Sequence, residues 1–325
     1  MVTIKEVAER AGVSKTTVSR ILNRQGNFSK ATIERVYRVM EELNYQPNEV
    51  ARTLGRRQSN MLALIMPNRE LPVFGIYTAE LEKAAYEKGY RIMLCSSFYD
   101  KEEELKSIQL LRNQMVDGII YGGFNTDISH FSNIELPIVS VGRKIDSAIP
   151  VVKADNLMAG KLACHHLKAK GCRKLIYITG YPAAIELDDK YVGIREMMRG
   201  ADMECHVYRI TMEMQISNMP DPVINQALLE HPEADGIIAE TDLIAMKCIQ
   251  ICKSFGYDIP SEIKLIGFGN YFFSMLSSPM LTTIADPVQK ICQTAVEKLI
   301  AVINGDESGR QDEEIPVALI ERKTT

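Results

Sequence analysis

Two short amphipathic segments joined by a glycine-containing turn occupy residues 3–23, TIKEVAERAGVSKTTVSRILN. Thr3 and Glu6 have the spacing of a capping box, in which each side chain bonds the backbone N–H of the other residue. A helix is therefore expected to begin here and to end at Gly12, since glycine readily adopts the left-handed conformation of a helix end. Its inward face is predicted to consist of Ile4, Val7, Ala8 and Ala11.

The second segment begins after Ser14, a preferred helix N-cap residue, and continues to about Asn23. Its predicted inward residues are Val18, Ile21 and Leu22. Its outward residues all carry hydrogen-bonding side chains: Lys15, Thr16, Thr17, Ser19, Arg20 and Asn23. Two short helices at this spacing are typical of a helix-turn-helix, whose second helix enters the major groove of DNA. Lys15 and Thr16 would lie nearest the bases, and Arg20 could reach either a guanine or a phosphate.

A third helix is predicted to begin at Ser29 and to close a small three-helix core. Its predicted inward residues are Ile33, Val36, Tyr37, Met40 and Leu43.

Residues 45–57, YQPNEVARTLGRR, follow the third helix. Pro47 prevents that helix from continuing, Asn48 can cap a new one and Gly55 can end it. A helix capped by Asn48 and ended at Gly55 would contain only about seven residues. Because isolated helices shorter than about 12–15 residues are marginal in water, this segment is expected to be helical only when something else holds it. Leu54 could then act as an apolar wedge in the minor groove, and a flexible linker is the alternative interpretation.

The charges are distributed unevenly along the chain. Residues 1–58 contain 11 Lys and Arg against 6 Asp and Glu, whereas the remaining residues contain 27 basic and 36 acidic ones. Neutralisation of phosphates supplies most non-specific affinity for DNA. A basic N-terminal region on an acidic body is therefore expected if only that region meets DNA.

From residue 60 onward, short apolar strands alternate with amphipathic helices. The predicted strands are 62–66, 91–95, 118–121, 138–141, 174–179, 206–210, 236–239 and 264–267. The predicted helices are 74–88, 101–114, 157–170, 190–199, 221–230, 243–255 and 288–304. This alternation predicts parallel sheets with right-handed crossovers, and the number of strands favours two doubly wound lobes over one large sheet. Small ligands bind such folds at the carboxyl ends of the strands, and in a two-lobed protein the site lies in the cleft.

Other classes of function are disfavoured by the sequence. The seven cysteines are odd in number and have no C-x-x-C spacing, so neither a disulfide framework nor a metal site is expected. Residues 267–272 contain only half of a dinucleotide-binding glycine motif, and no phosphate-binding or nucleophile-elbow motif is present. We expect no cofactor and no catalytic residues, and a nucleotide-dependent enzyme remains the weaker alternative.

No export signal or membrane span is recognisable in the sequence, so a cytoplasmic protein without a membrane partner is expected. A stand-alone sugar-binding transport protein, the second alternative, would need such a signal.

Residues 3–23, 45–48 and 51–54 together closely resemble the LacI/GalR family of bacterial transcriptional regulators. The resemblance implies that the second helix reads the major groove and that the paired hinge helices of a homodimer insert Leu54 into the minor groove. The DNA-binding residues expected are Thr3, Ser14, Lys15, Thr16, Thr17, Ser19, Arg20, Asn23, Asn48, Ala51, Arg52 and Leu54.

The resemblance continues through the acidic body and implies the fold of periplasmic sugar-binding proteins, with three crossings between lobes. One lobe would contain residues 60–155 and 287–305, and the other residues 156–286 and a C-terminal strand. The effector-binding residues expected are Phe74, Phe124, Arg143, Lys190, Tyr191, Thr241, Asp242 and Asn270. Lys190, Thr241 and Asn270 depart from the family pattern, which has an arginine, an asparagine and an aspartate at these positions. A lysine lacks the bidentate fork of a guanidinium, so the first change alters how a ligand can be bound.

The expected organisation is therefore a helix-turn-helix domain (1–46), a hinge helix and linker (47–59), and a two-lobed effector-binding and dimerisation domain (60–325). The expected function is a sequence-specific regulator, with a repressor favoured, that binds a near-palindromic double-stranded operator as a homodimer. A small-molecule effector, with a carbohydrate favoured, would control it.

Overall fold

The computed structural model describes residues 2–22, 25–45, 59–67, 71–113, 116–123, 131, 134–180, 188–211, 213–214, 217 and 219–325. The chain divides into two compact units, Met1–Ser59 and Asn60–Thr325.

Within residues 2–22 and 25–45, the first unit forms a three-helix core. Its helices are α1 (Ile4–Ala11), α2 (Lys15–Leu22) and α3 (Lys30–Glu42). The buried side chains are Val7, Ala8, Ala11, Val18, Ile21, Val36, Val39 and Met40. The prediction that Tyr37 faces inward is wrong, because its side chain is 47% exposed and Val39 is buried instead. Positions 36, 39, 40 and 43 form one stripe on a helix, and position 37 lies beside that stripe.

The second unit contains two parallel-dominated sheets flanked by helices. Its helices are α4 (Pro72–Glu87), α5 (Lys101–Asn113), α6 (Asn156–Ala169), α7 (Asp189–Met198), α8 (Asp221–Glu230), α9 (Asp242–Ser254) and α10 (Val288–Ile303). Its strands are β1 (Met61–Met66), β2 (Arg91–Ser96), β3 (Gly118–Tyr121), β4 (Ile138–Val141), β5 (Val151–Ala154), β6 (Lys174–Thr179), β7 (Glu204–Arg209), β8 (Gly236–Ala239), β9 (Lys264–Gly269), β10 (Thr282–Ala285), β11 (Glu313–Ile315) and β12 (Ala318–Ile320).

Each lobe is built around one six-stranded sheet. The strand order is β11-β5-β4-β3-β1-β2 in the first lobe and β12-β10-β9-β8-β6-β7 in the second. The described pairings are parallel except that β12 runs antiparallel to β10. The strands read as nearly continuous apolar runs because helices cover both faces of each sheet.

The chain passes between the lobes three times, after β5, after β10 and after β11. The predicted C-terminal strand of the second lobe is confirmed as β12, which pairs with β10. The strand before it, β11, was not predicted and completes the first sheet by pairing with β5. Helix α10 returns to the first lobe, where Ile291, Ala295 and Leu299 enter its core. None of the described helices has the length and apolarity needed to cross a bilayer.

Candidate nucleic-acid interface and ligand cleft

The turn between α1 and α2 is held by backbone and hydroxyl hydrogen bonds. Gly12 has a φ of 65°, and its N–H donates to the carbonyls of Ala8 and Glu9. The Ser14 hydroxyl caps α2 by accepting from the N–H of Thr17 at 3.0 Å. These bonds satisfy backbone groups that would otherwise be unpaired at the end of α1 and the start of α2.

Burial of two aliphatic side chains sets the rotation of α2. Val18 is fully buried and Ile21 is 5% exposed. With that face fixed, Ser14, Lys15, Thr16 and Arg20 are exposed, and Thr17 and Ser19 are half-buried. The exposed face is thus polar and basic, as a helix that reads DNA requires.

Thr3 stabilises the beginning of α1. Its N–H donates to the Glu6 carboxylate at 2.7 Å, and the Glu6 N–H donates to the Thr3 hydroxyl at 3.4 Å, so the predicted capping box is confirmed. The first of these bonds lowers the pKa of Glu6. The remaining predicted site residues Asn23, Asn48, Ala51, Arg52, Leu54 and Phe124 lie outside the described residues.

A cavity of about 310 Å³ lies between the two lobes of the second unit, at the carboxyl ends of the strands. The first lobe contributes Met66, Phe74, Tyr77, Gly122, Gly123, Val141 and Arg143 to its lining. The second lobe contributes Lys190, Ile210, Glu240, Thr241, Leu243, Ile244 and Phe268. The segments that cross between the lobes contribute Ala154, Asn156 and Asp286. A volume near the lower end of the range for small-molecule sites suits a compact ligand.

Four of the predicted effector residues line this cavity: Phe74, Arg143, Lys190 and Thr241. An Nη of Arg143 donates to the Gly123 carbonyl at 3.3 Å. The Thr241 hydroxyl caps α9 by accepting from the N–H of Ile244 at 3.3 Å.

Three other predicted residues, Tyr191, Asp242 and Asn270, do not line this cavity. The Tyr191 ring stacks on Tyr177 with centroids 6.1 Å apart. Asp242 is fully buried, and the Asn270 carboxamide oxygen accepts from Arg322 at 2.5 Å. These placements suit residues that position the cleft walls.

Two carboxylates of the lining, Glu240 and Asp286, were missed by the sequence analysis. Glu240 accepts from the Gly180 N–H at 2.5 Å, and the Thr179 hydroxyl lies 3.3 Å from the same oxygen. Burial raises the pKa of both carboxyl groups, and the positive charge of Lys190 opposes that effect. Glu240 directly follows an apolar strand, which is a signal for a cleft residue in such folds. Asp286 directly follows β10, a strand that was not predicted.

Lys190 lies against the wall of the second lobe. Its Nζ donates to the backbone carbonyl of Glu240 at 3.2 Å and lies 4.6 Å from the centroid of the Phe268 ring. The N-terminus of α7 is held by Asp188, which accepts from the N–H of Lys190 at 3.0 Å and from the Tyr177 hydroxyl at 2.7 Å. The backbone of Lys190 is therefore anchored, and its side chain meets both a carbonyl and an aromatic face.

The fold and these two surfaces define a class of protein with a helix-turn-helix unit and a two-lobed unit that has a ligand cleft. Residues 3–48 match the model for bacterial regulatory proteins of the lacI family, and residues 164–325 match that for a periplasmic binding protein-like domain. The ribose operon repressor of Halalkalibacterium halodurans is 32% identical and covers 100% of this chain and 97% of its own length. The sucrose operon repressor of Streptococcus mutans is 30% identical and covers 98% of this chain and 97% of its own length. The chain belongs to the LacI family of bacterial regulatory proteins.

Solved structures agree with this assignment. A periplasmic binding protein/LacI transcriptional regulator from Alkaliphilus metalliredigens, complexed with D-xylulofuranose, is 31% identical with a TM-score of 0.71, covering 82% of this chain and 99% of its own. The lac repressor dimer bound to operator and the anti-inducer ONPF has a TM-score of 0.88 at 23% identity, covering 100% and 99% of the two chains. The second likeness concerns the fold alone.

Proposed function

We propose that this protein is a repressor that binds a near-palindromic operator as a homodimer and changes its affinity when a carbohydrate occupies the cleft. The cleft supports this most directly, because it combines aromatic faces with charged and hydrogen-bonding groups from both lobes. Sugars present both apolar ring faces and hydroxyl groups, so such a lining can orient them. The names of the ribose and sucrose operon repressors agree with a carbohydrate effector.

The proposed domains are the reading domain (1–46), the hinge (47–59) and the effector-binding and dimerisation domain (60–325). Lys15 and Thr16 would contact bases, and the polar residues around them would contact bases or phosphates. In the hinge, Leu54 would enter the minor groove, with Arg52 suited to phosphates. The reading domains of two protomers related by a two-fold axis would require an operator of matching symmetry.

Control would pass through the hinge. A helix of about seven residues is marginal alone, so it would order only where DNA and a second hinge hold it. A rearrangement of the lobes on ligand binding would change whether the two hinges can meet. We infer that the protein acts in the cytoplasm as a regulator and not as an enzyme.

The experiment is a thermal-shift screen of the full-length protein with sugars and sugar phosphates, followed by operator binding with and without each ligand that raises Tm. A sugar that both raises Tm and changes operator affinity supports the proposal. Titration with nicotinamide cofactors tests the enzyme alternative, and tight cofactor binding without any sugar response would refute the proposal.

A further inference from the structure

The wall of the cleft formed by the second lobe and the adjoining crossing segment is rich in negative charge. Glu240 and Asp286 both line the cavity. Behind Glu240, the Thr179 hydroxyl lies 3.2 Å from the buried Asp188 carboxylate and 3.3 Å from that of Glu240, and the charge of Asp188 raises the pKa of Glu240. Among the residues that the structure describes, Lys190 is the cation whose charge acts on both Glu240 and Asp286. The carboxylates therefore outnumber the ammonium group at this wall.

Lys190 does not neutralise these carboxylates by direct pairing. Its Nζ contacts a backbone carbonyl and the Phe268 ring. Within the described parts of the chain, it forms no ion pair within 4.0 Å of Glu240 or Asp286. Among the described residues, the charge of Lys190 therefore acts on both side chains without an ion pair within 4.0 Å.

The two cavity-lining carboxylates, Glu240 and Asp286, can each accept further hydrogen bonds. In Glu240, Oε2 accepts from the Gly180 N–H and contacts the Thr179 hydroxyl, and Oε1 accepts no hydrogen bond from any described residue. Asp286 interacts with the Tyr271 side chain, which lowers the pKa of its carboxyl group while burial raises it. An ionised carboxylate has about four acceptor positions, so both can accept from a ligand.

We propose that the natural effector carries a protonated amine beside its hydroxyl groups, as an amino sugar does, and that Glu240 and Asp286 bind the ammonium group. This inference rests on the proposed function, since it names the ligand class of the same cleft. The hydroxyl groups would be oriented by Arg143 of the first lobe and by Asn156.

The charge decides between an amine and a hydroxyl group at this position. A hydroxyl group can donate one hydrogen bond but leaves the negative charge uncompensated in a poorly solvated cleft. An ammonium group donates three and supplies the missing positive charge, and such charge-assisted bonds are roughly twice as strong as neutral ones. The ligand cation thus provides the counter-ion that Lys190 does not.

The test is isothermal titration calorimetry of the full-length protein with matched sets of hexoses. Each set contains a neutral parent sugar, its amino form with the amine at C2, C3 or C6, and the N-acetyl form, which keeps the nitrogen but loses its charge. We expect at least one amino sugar to bind about tenfold or more tightly than both its parent and its N-acetyl form.

Two substitutions test whether the named carboxylates cause this preference. Glu240→Gln and Asp286→Asn keep the size of each side chain and remove its charge, so each should reduce the ratio of amino-sugar to parent affinity to about threefold or less. Glu297→Gln, which alters an exposed glutamate on α10 paired with Lys88 at 2.8 Å, is the matched control and should keep the ratio. Circular dichroism verifies that each variant is folded.

The outcomes separate this inference from the proposed function. Neutral sugars that bind as well as or better than their amino forms would overturn the inference and leave a carbohydrate effector in place. A preference that survives both cleft substitutions would also overturn it. If no sugar of either kind binds, the proposed carbohydrate class fails and the inference fails with it.

Discussion

At the residue scale, the buried carboxylate of Asp242 holds together the segments behind the cleft. Its two oxygens accept from the N–H of Tyr271 at 3.0 Å and from the Thr283 hydroxyl at 2.5 Å. Gly267 leaves the space for it, because a Cβ there would lie 2.6 Å from the carboxylate. Tyr271 lines the cavity itself, so Asp242 positions a wall of the cleft without lining it.

Asp242→Asn should destabilise the protein by about 1–3 kcal/mol, because an amide N–H would face the donors that now meet a carboxylate. Burial raises the pKa of Asp242 to about 6. The folded state therefore binds this proton more tightly than the unfolded chain, and the contribution of the group to stability falls as the pH rises from about 4 to about 6. Urea unfolding should give a larger difference between wild type and variant at pH 4.5 than at pH 7.5. A difference that does not change with pH would contradict this account of Asp242.

Lys15 and Thr16 are expected to select bases, because both are exposed at the N-terminal end of α2. Replacing each by alanine should change which bases are preferred in selection from random duplexes, with about 1–3 kcal/mol lost at a directly read position. A uniform loss of affinity for all sequences would show phosphate contacts instead. Arg38→Ala, at an exposed position on α3, is a suitable comparison.

At the element scale, an ion pair connects the lobes next to the cleft. Lys153 on β5 of the first lobe lies 2.7 Å from Asp189, the first residue of α7 in the second lobe. It also lies 3.2 Å from Glu314 on β11. Asp189 is adjacent to Lys190 in the chain. The ion pair therefore couples the position of Lys190 in the cleft to the relative arrangement of the two lobes.

Lys153→Met should weaken effector binding about twofold to fivefold, because a partly exposed pair contributes about 0.5–1 kcal/mol to holding the lobes together. Calorimetry with the sugar found in the thermal-shift screen measures this change. Lys161→Met is the control, because its ion pair with Glu196 at 2.8 Å joins α6 to α7 within one lobe. Equal effects of the two substitutions would contradict a role for the pair between the lobes.

The second prediction at this scale concerns the hinge, residues 47–59. Leu54→Gly should weaken specific operator binding markedly, since it removes the apolar wedge and lowers helix propensity in an already marginal segment. Ligand binding in the cleft should be unchanged. Operator affinity equal to that of the wild type, measured by fluorescence anisotropy, would refute the wedge role.

Most of the longer elements were predictable because their periodicity is strong. The helices 101–114, 221–230 and 288–304 were placed to within a residue or two, and β3, β4, β6 and β8 were predicted with their observed bounds. The shorter strands β5, β10 and β11 were not predicted. Strands of three or four residues give little periodic signal. The sequence of β11 contains two glutamates and does not resemble a strand, and these residues become extended through pairing with β5.

The cleft could be predicted only in part for a related reason. Thr241 and Lys190 lie at helix N-termini, where the family pattern locates them. Glu240 and Asp286 are separated by 46 positions in the sequence and line the same cavity because β8 and β10 end on the same side of one sheet. Tyr37 was placed wrongly because an aromatic residue beside an apolar stripe resembles a member of it.

At the scale of the whole molecule, the charge distribution distinguishes a basic N-terminal region suited to DNA from an acidic remainder of the chain. Residues 1–58 have an excess of basic residues and the rest of the chain an excess of acidic ones. The basic region attracts the DNA backbone, and the acidic body is repelled by it, so only the first region is expected to bind DNA. Regulation then requires that ligand occupancy in the second unit alter the free energy of DNA binding by the first.

Coupling between the ligand cleft and DNA binding is tested most directly by one measurement. An operator is selected from random duplexes with the full-length protein, and its Kd is measured by fluorescence anisotropy without and with a saturating concentration of the sugar found in the screen. We predict a change in Kd of about 5- to 150-fold, the range typical of coupled sites. A Kd that stays the same within about twofold while calorimetry shows the cleft to be occupied would contradict the account.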